Sequence, residues 1–224
     1  MIFCIDQILT PEELGSIHDS LAKATFVDGK LTAGWHAKLV KENQQLSAQD
    51  EVAKSVKDTV TKALSRSQLF QMAVKPKKIR SPLISRYEEG MSYGTHVDNA
   101  LMGQGSNLIR SDVSFTLFLN PPEEYEGGEL VMDTMQGEQS FKLKAGAIIT
   151  YPSTTLHRVQ PVTEGVRLVA VSWVQSLIRD PSERELLFDL ETTRQALFNK
   201  YGKTQEFDLV AKSCANLLRK WTEV

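Results

Sequence analysis

Only two of the 224 residues are cysteine, Cys4 and Cys214, and they stand near opposite ends of the chain. That scarcity excludes a disulfide scaffold, and free thiols suit a reducing, cytoplasmic setting. Long apolar runs are also missing: Leu168 to Val174 is interrupted by Ser172 and is far too short to cross a bilayer. The opening Met1-Ile2-Phe3-Cys4-Ile5-Asp6 lacks a basic residue and its apolar stretch stops at Asp6, so no secretory signal is expected there. Nor is there an excess of positive charge. Lys+Arg 26 against Asp+Glu 28 gives a formal net charge of -2, which leaves no global field to collect nucleic acid or anionic membrane. What is present, 41% apolar and 24% charged residues without repeats or low-complexity tracts, fits a soluble globular chain able to bury a real core.

Three textures follow one another along the chain. Thr10-Pro11-Glu12-Glu13 is a capping box with proline at the first helical position, and Leu14, Ile17 and Leu21 line one face of the helix it opens. A second helix is expected from Ser47 to about Phe70, on the recurrence of Val52, Val56, Val60 and Leu64. The basic cluster Lys75, Lys77, Lys78 and Arg80 reads as a solvated connector. From Ile79 to Val174 come short β-rich segments punctuated by Gly and Pro: 83–87, 113–119, 129–132, 139–143, 147–151 and 166–174. Short strands with such turn signals predict an antiparallel sandwich or barrel, and Gly127-Gly128 reads as a tight turn or bulge entering a strand. Asp180-Pro181-Ser182-Glu183 then opens a C-terminal helical hairpin, whose faces Leu186, Leu190, Val210, Leu217 and Trp221 are expected to pack on each other and on the barrel or a second subunit.

The four histidines differ in context. His18 lies beside Leu14 in the first helix and reads as structural, and His36, next to Trp35, reads as structural or as lining a substrate entrance. His96-Val97-Asp98 places an imidazole and a carboxylate two residues apart, hence on one face of an extended segment. With eleven aspartates in the chain, His-x-Asp alone carries little weight. His157, on a distant strand beside the Tyr151-Pro152-Ser153 turn, supplies a third ligand. Two imidazoles and one carboxylate leave three octahedral positions open, which suits Fe(II) in an oxygenase better than a closed zinc site. Arg167 shares its strand face with Val169, Val171 and Trp173. A guanidinium pointing inward from an apolar face needs an anion, either an internal carboxylate or a dicarboxylate cosubstrate.

Taken together, Arg86 to Asn99 with its His96-Val97-Asp98, Glu126-Gly127-Gly128-Glu129-Leu130, Gly146-Ala147, Tyr151-Pro152, His157 and Arg167 resemble the prolyl-4-hydroxylase-type Fe(II)/2-oxoglutarate dioxygenases. The helical ends, the C-terminal hairpin above all, resemble those of bacterial PKHD-type hydroxylases. The resemblance implies an α+β fold, mainly β with flanking helices, around a double-stranded β-helix, or jelly roll. Its expected parts are an N-terminal helical segment over 1–78, the dioxygenase core over 79–177 and a C-terminal helical subdomain over 178–224. It further implies iron at His96, Asp98 and His157, and the distal carboxylate of 2-oxoglutarate on Arg167. Tyr87, nine residues before His96, matches a tyrosine whose hydroxyl can reach the cosubstrate, or else it packs, and Tyr93 is structural or supports a ligand. Ascorbate is implied as reductant, with O2 and an unidentified substrate as the other partners. A homo-oligomer through the C-terminal helices is a further expectation.

Two other functions are compatible with parts of the pattern. A non-catalytic metal-binding β-barrel that senses or binds a small carboxylic acid needs the three ligands but no oxygen chemistry. A nucleic-acid demethylase on the same fold is disfavoured by the negative net charge and by Trp173, where that relative's pattern has a second arginine. A purely structural protein leaves His96, Asp98, His157 and Arg167 together without explanation.

Overall fold

Short apolar runs separated by turns bury their faces best by pairing with one another, and every strand pair here is antiparallel. The computed structural model describes residues 1–224 and places the strands in two principal sheets. The eight-stranded sheet runs in the order Phe3–Ile5, Ile148–Pro152, Val113–Phe118, Arg167–Ser176, Leu83–Tyr87, Gln44–Leu46, Phe26–Asp28, with Pro76–Ile79 also pairing on Arg167–Ser176. The five-stranded sheet runs Gly137–Phe141, Leu130–Thr134, His157–Val159, Ser92–His96, Lys41–Glu42. Tyr87, Phe118, Tyr151 and Val169 from the first meet Leu130, Met132 and Val159 from the second in a small apolar cluster between them. This is the double-stranded β-helix arrangement.

Arg167–Ser176 shows how the sequence sets this layering. Leu168, Ala170 and Val174 face a larger cluster on the helical side, whereas Val169 and Val171 face the inter-sheet cluster, as period-two alternation predicts. The larger cluster holds 22 buried residues and packs helices α1 (Pro11–Leu21), α2 (Glu51–Arg66) and α3 (Gln68–Val74) against the eight-stranded sheet. Val60, Ala63, Leu64, Phe70 and Leu117 are wholly buried there, each large side chain worth roughly 1.5–3 kcal/mol.

Several local expectations need correction. The single helix expected from Ser47 to Phe70 is two, because Ser67 accepts the Phe70 N–H and starts a new N-terminus there. Its true start is Asp50, which caps Val52. Residues 1–78, expected to be helical, also contribute the strands Phe3–Ile5, Phe26–Asp28, Lys41–Glu42 and Gln44–Leu46 to the two sheets. Lys75 is no solvated connector. It is 7% exposed, closes α3 in the left-handed region and pairs with Glu191 at 2.7 Å.

That pair fastens the C-terminal hairpin, α4 (Pro181–Tyr201) and α5 (Gln205–Trp221). Asp180 caps α4 as its sequence predicts, and Gly202 ends it at φ +70°. Leu187, not Leu186, is the buried apolar residue of the first turns of α4, and Leu186 lies exposed. The hairpin's partner surface comes from its own chain: α4 packs on α3, Phe188 joins the main core, and Ile178 bridges to Thr222. No helix is long and apolar enough to cross a membrane.

Candidate active site

His96 closes the strand Ser92–His96, Asp98 follows it by two residues, and His157 opens the neighbouring strand, directly across from His96 in register. Antiparallel pairing therefore brings together what the sequence separates. One ligand atom from each lies within 4.8 Å of the others, and all three side chains are buried or nearly so.

Both imidazoles are held in one tautomer. His96 Nδ1 lies 2.8 Å from the Gly94 carbonyl and His157 Nδ1 3.0 Å from the Thr155 carbonyl. A carbonyl only accepts, so each Nδ1 carries the proton and each Nε2 keeps a free lone pair for a metal. Burial, with His157 beside it, pushes the His96 pKa down to about 4, so its ring is neutral at physiological pH. Tyr93 stacks on His96 with ring centroids 3.6 Å apart and so braces that imidazole. Ser114 was not singled out in the sequence, yet its hydroxyl donates to Asp98 Oδ2 at 2.6 Å and shares a 2.7 Å hydrogen bond with Ser153.

Arg167 lies opposite Tyr87 in the sheet register and is 1% exposed. Its guanidinium sits over the rings of Tyr87, at 5.0 Å, and Phe118, at 5.6 Å. Neither Nε nor Nη1 has a hydrogen-bond partner, and the guanidinium forms no ion pair. Burial raises the Tyr87 and Tyr125 pKa values while the Arg167 charge opposes the rise, which places both phenols beside it. The Gly127-Gly128 bulge makes room for the arginine. Gly128, at φ +67°, would set a Cβ 3.0 Å from Arg167 Cδ.

One cavity of about 430 Å3 is lined by the three candidate ligands, Arg167, Tyr87 and Tyr151. Two oriented imidazole nitrogens and one carboxylate at one place, and an unsatisfied guanidinium at another, fit a divalent metal and a carboxylate ligand respectively. The other sequence candidates lie elsewhere. His18 bonds the Leu119 carbonyl from α1, and His36 is exposed against Trp35, outside the cavity lining. Next to His157 in the chain, Arg158 pairs with Glu138 at 2.7 Å and Asp133 at 3.8 Å, away from the cavity. Lys41, Asn43 and Gln45 line the cavity and were missed; they stand in a wholly polar run in which alternation gives no contrast.

The comparisons agree with this architecture. The family model of the 2OG-Fe(II) oxygenase superfamily matches residues 82–175. A PKHD-type hydroxylase of Gloeothece citriformis is 61% identical over 223 residues, covering all of both chains. Among solved structures, a Pseudomonas putida prolyl-4-hydroxylase superposes with TM-score 0.51 at 19% identity, over 78% of this chain and 92% of that one. A Trichoplax adhaerens prolyl hydroxylase, solved with a hypoxia inducible factor peptide, superposes with TM-score 0.56 at 15% identity over 83% and 86%. These two show the fold, and the full-length relative shows the family: the chain belongs to the 2OG-Fe(II) oxygenase superfamily, among its PKHD-type hydroxylases.

Proposed function

We propose that the protein hydroxylates a C–H bond of its substrate, coupled to decarboxylation of 2-oxoglutarate to succinate and CO2, with His96, Asp98 and His157 as iron ligands. The reading rests on one observation: three preorganised metal-ligand groups and a buried, unsatisfied Arg167 line the same cavity. Bound iron and 2-oxoglutarate would supply the oxidising power from O2. The chain's own residues orient and shield. Ser114 fixes the Asp98 carboxylate, the Gly94 and Thr155 carbonyls fix the imidazoles, and Arg167 forms a desolvated pair with the distal carboxylate of the cosubstrate. Tyr87 lies beneath that guanidinium, with its hydroxyl as the cosubstrate's further contact. Tyr151, edge-on to His157 at 5.1 Å, closes the ligand's other side against water.

Ascorbate as the reductant that returns oxidised iron to Fe(II), a cytoplasmic location and association of C-terminal helices between copies belong to the same reading. Both cysteines being free is compatible with the location. The test is O2-dependent succinate formation from 2-oxoglutarate by the Fe(II)-loaded protein, with Asp98→Ala as control. Turnover that survives in Asp98→Ala removes the ligand assignment. Metal and 2-oxoglutarate binding without any succinate would favour the non-catalytic barrel instead.

A further inference from the structure

Four charged side chains line the cavity: Lys41, Arg80, Asp98 and Arg167. Under the dioxygenase reading, Asp98 is taken by iron and Arg167 by the cosubstrate. A divalent cation, the Asp98 carboxylate, a dianionic cosubstrate and the Arg167 guanidinium carry no net charge together. Lys41 and Arg80 then remain as positive charges on the cavity wall with no counterion assigned.

Lys41 is the more constrained of the two. It is 4% exposed, its Nζ reaches only the Thr32 hydroxyl at 3.1 Å, and it lies 5.3 Å from the Tyr93 ring. It forms no ion pair: Asp28 and Asp98 act on it only from a distance, and the Asp28 carboxylate is engaged with the Lys30 N–H. On the same alternating face Asn43 is 5% exposed, with the Tyr87 hydroxyl beside its amide and neither amide atom in full hydrogen-bond geometry with a protein group. Gln45 follows, tied to Thr32 and Ser85. A buried ammonium and a buried open amide cost stability unless a ligand completes them. The cavity, about 430 Å3, is in the range of small-molecule sites and has room beside a cosubstrate for a slim group.

We propose that the substrate carries a carboxylate, held by Lys41 with the Asn43 amide beside it, and that Arg80 is a second cation drawing it in. This rests on the dioxygenase reading above. A free small acid and the acidic end of a longer chain present the same group.

The test uses Mn(II)-loaded protein saturated with 2-oxoglutarate and reads paramagnetic broadening of probe proton signals. Probes are N-acetyl amino acids against their primary amides, and short peptides with free against amidated C-termini, so the arms separate a small acid from a chain end. The expected result is broadening of acids and not of amides. Lys41→Met should weaken acid binding at least about tenfold, with Lys41→Arg recovering part and Arg80→Gln losing less. The 2-oxoglutarate dissociation constant, measured by calorimetry, should stay unchanged in all three. Equal binding of acids and amides, no binding by any acid, or a Lys41→Met loss that falls on 2-oxoglutarate instead would each overturn the proposal. A wild type that binds no 2-oxoglutarate sinks the dioxygenase reading separately, and the acid-against-amide comparison run without it still reads Lys41. If Lys41→Met does not fold, the same comparison on wild type and Lys41→Arg decides.

Discussion

Replacing Arg167 should produce two effects of opposite sign. With cosubstrate absent, its guanidinium is buried at 1% exposure and two of its nitrogens lack partners, so it costs the folded state desolvation without full return. Arg167→Met keeps much of the volume and removes that cost, so the ligand-free melting temperature should hold or rise. Cosubstrate binding should move the other way. Truncating one member of a desolvated bidentate pair costs roughly 2–4 kcal/mol, or about 30- to 1000-fold in 2-oxoglutarate affinity. Saturating wild type at about 100 times its dissociation constant adds about 2.7 kcal/mol of stability, a rise of roughly 5–10 °C for a protein of this size. In Arg167→Met that gain should fall to about 0.9 kcal/mol or less at the same concentration, a rise of no more than about 2–4 °C, and in Arg167→Lys it should return only in part, because an ammonium lacks the planar fork. Thermal unfolding with Mn(II), with and without 2-oxoglutarate, measures both effects, and succinate titrations of the Fe(II) enzyme give the half-saturation values. Equal thermal shifts in all three proteins would refute the assignment, since a merely structural arginine would lower the ligand-free melting temperature and leave the shift alone.

Ser114→Ala should lower metal affinity by about 10- to 100-fold with the fold intact, because Asp98 loses the hydroxyl that orients it; unchanged affinity by calorimetry would remove that role. Gly128→Ala should weaken 2-oxoglutarate binding more than metal binding, since a Cβ at φ +67° would press on Arg167, and equal titrations would show that the bulge is indifferent. Glu191→Leu should destabilise the protein by about 3 kcal/mol by stranding Lys75, whereas the Lys75→Met, Glu191→Leu double variant should recover most of that in denaturant unfolding. Burial holds the folded His96 pKa near 4, below the unfolded value of about 6.5, so this residue's contribution is complete above that unfolded value and is lost as pH falls toward 4. Metal-free stability should therefore decline across that window, and a His96→Gln variant should decline less; identical pH profiles would contradict the neutral, buried imidazole.

The features legible in the sequence are those whose cause is local. Thr10 and Asp180 announce their helices because a capping oxygen, a proline and an acid stand within three residues. His96 and Asp98 announce a shared position because they stand two residues apart, and the fold brings them together with His157 although Asp98 lies just past the end of the strand. Ser67 went unseen because the apolar stripe of α2 continues in Phe70, and nothing in the stripe shows that one hydroxyl captures an N–H and restarts the helix. Strands such as Lys41–Glu42 are too short to display a period, and they exist because Ser92 and Tyr93 offer an edge. Ser114 is hidden differently. It sits in Val113–Phe118, a strand buried at every position, where a hydroxyl must find a partner, but that burial follows from helices and strands far away in the chain.

The site also explains why the apolar core lies where it does. The buried imidazole of His96, an open guanidinium, an open amide and a buried ammonium between the sheets all work against folding when no ligand is bound. A core confined to the inter-sheet space would have to offset them within its ten buried residues. Instead, 22 buried residues sit on the far side of the eight-stranded sheet, under α1, α2 and α3, where no candidate ligand intrudes. Arg167–Ser176 divides the two tasks residue by residue: Leu168, Ala170 and Val174 hold the helices, while Arg167, Val171 and Trp173 line the cavity. Substitutions on the first set should change stability and those on the second should change binding, because one strand places them on opposite faces.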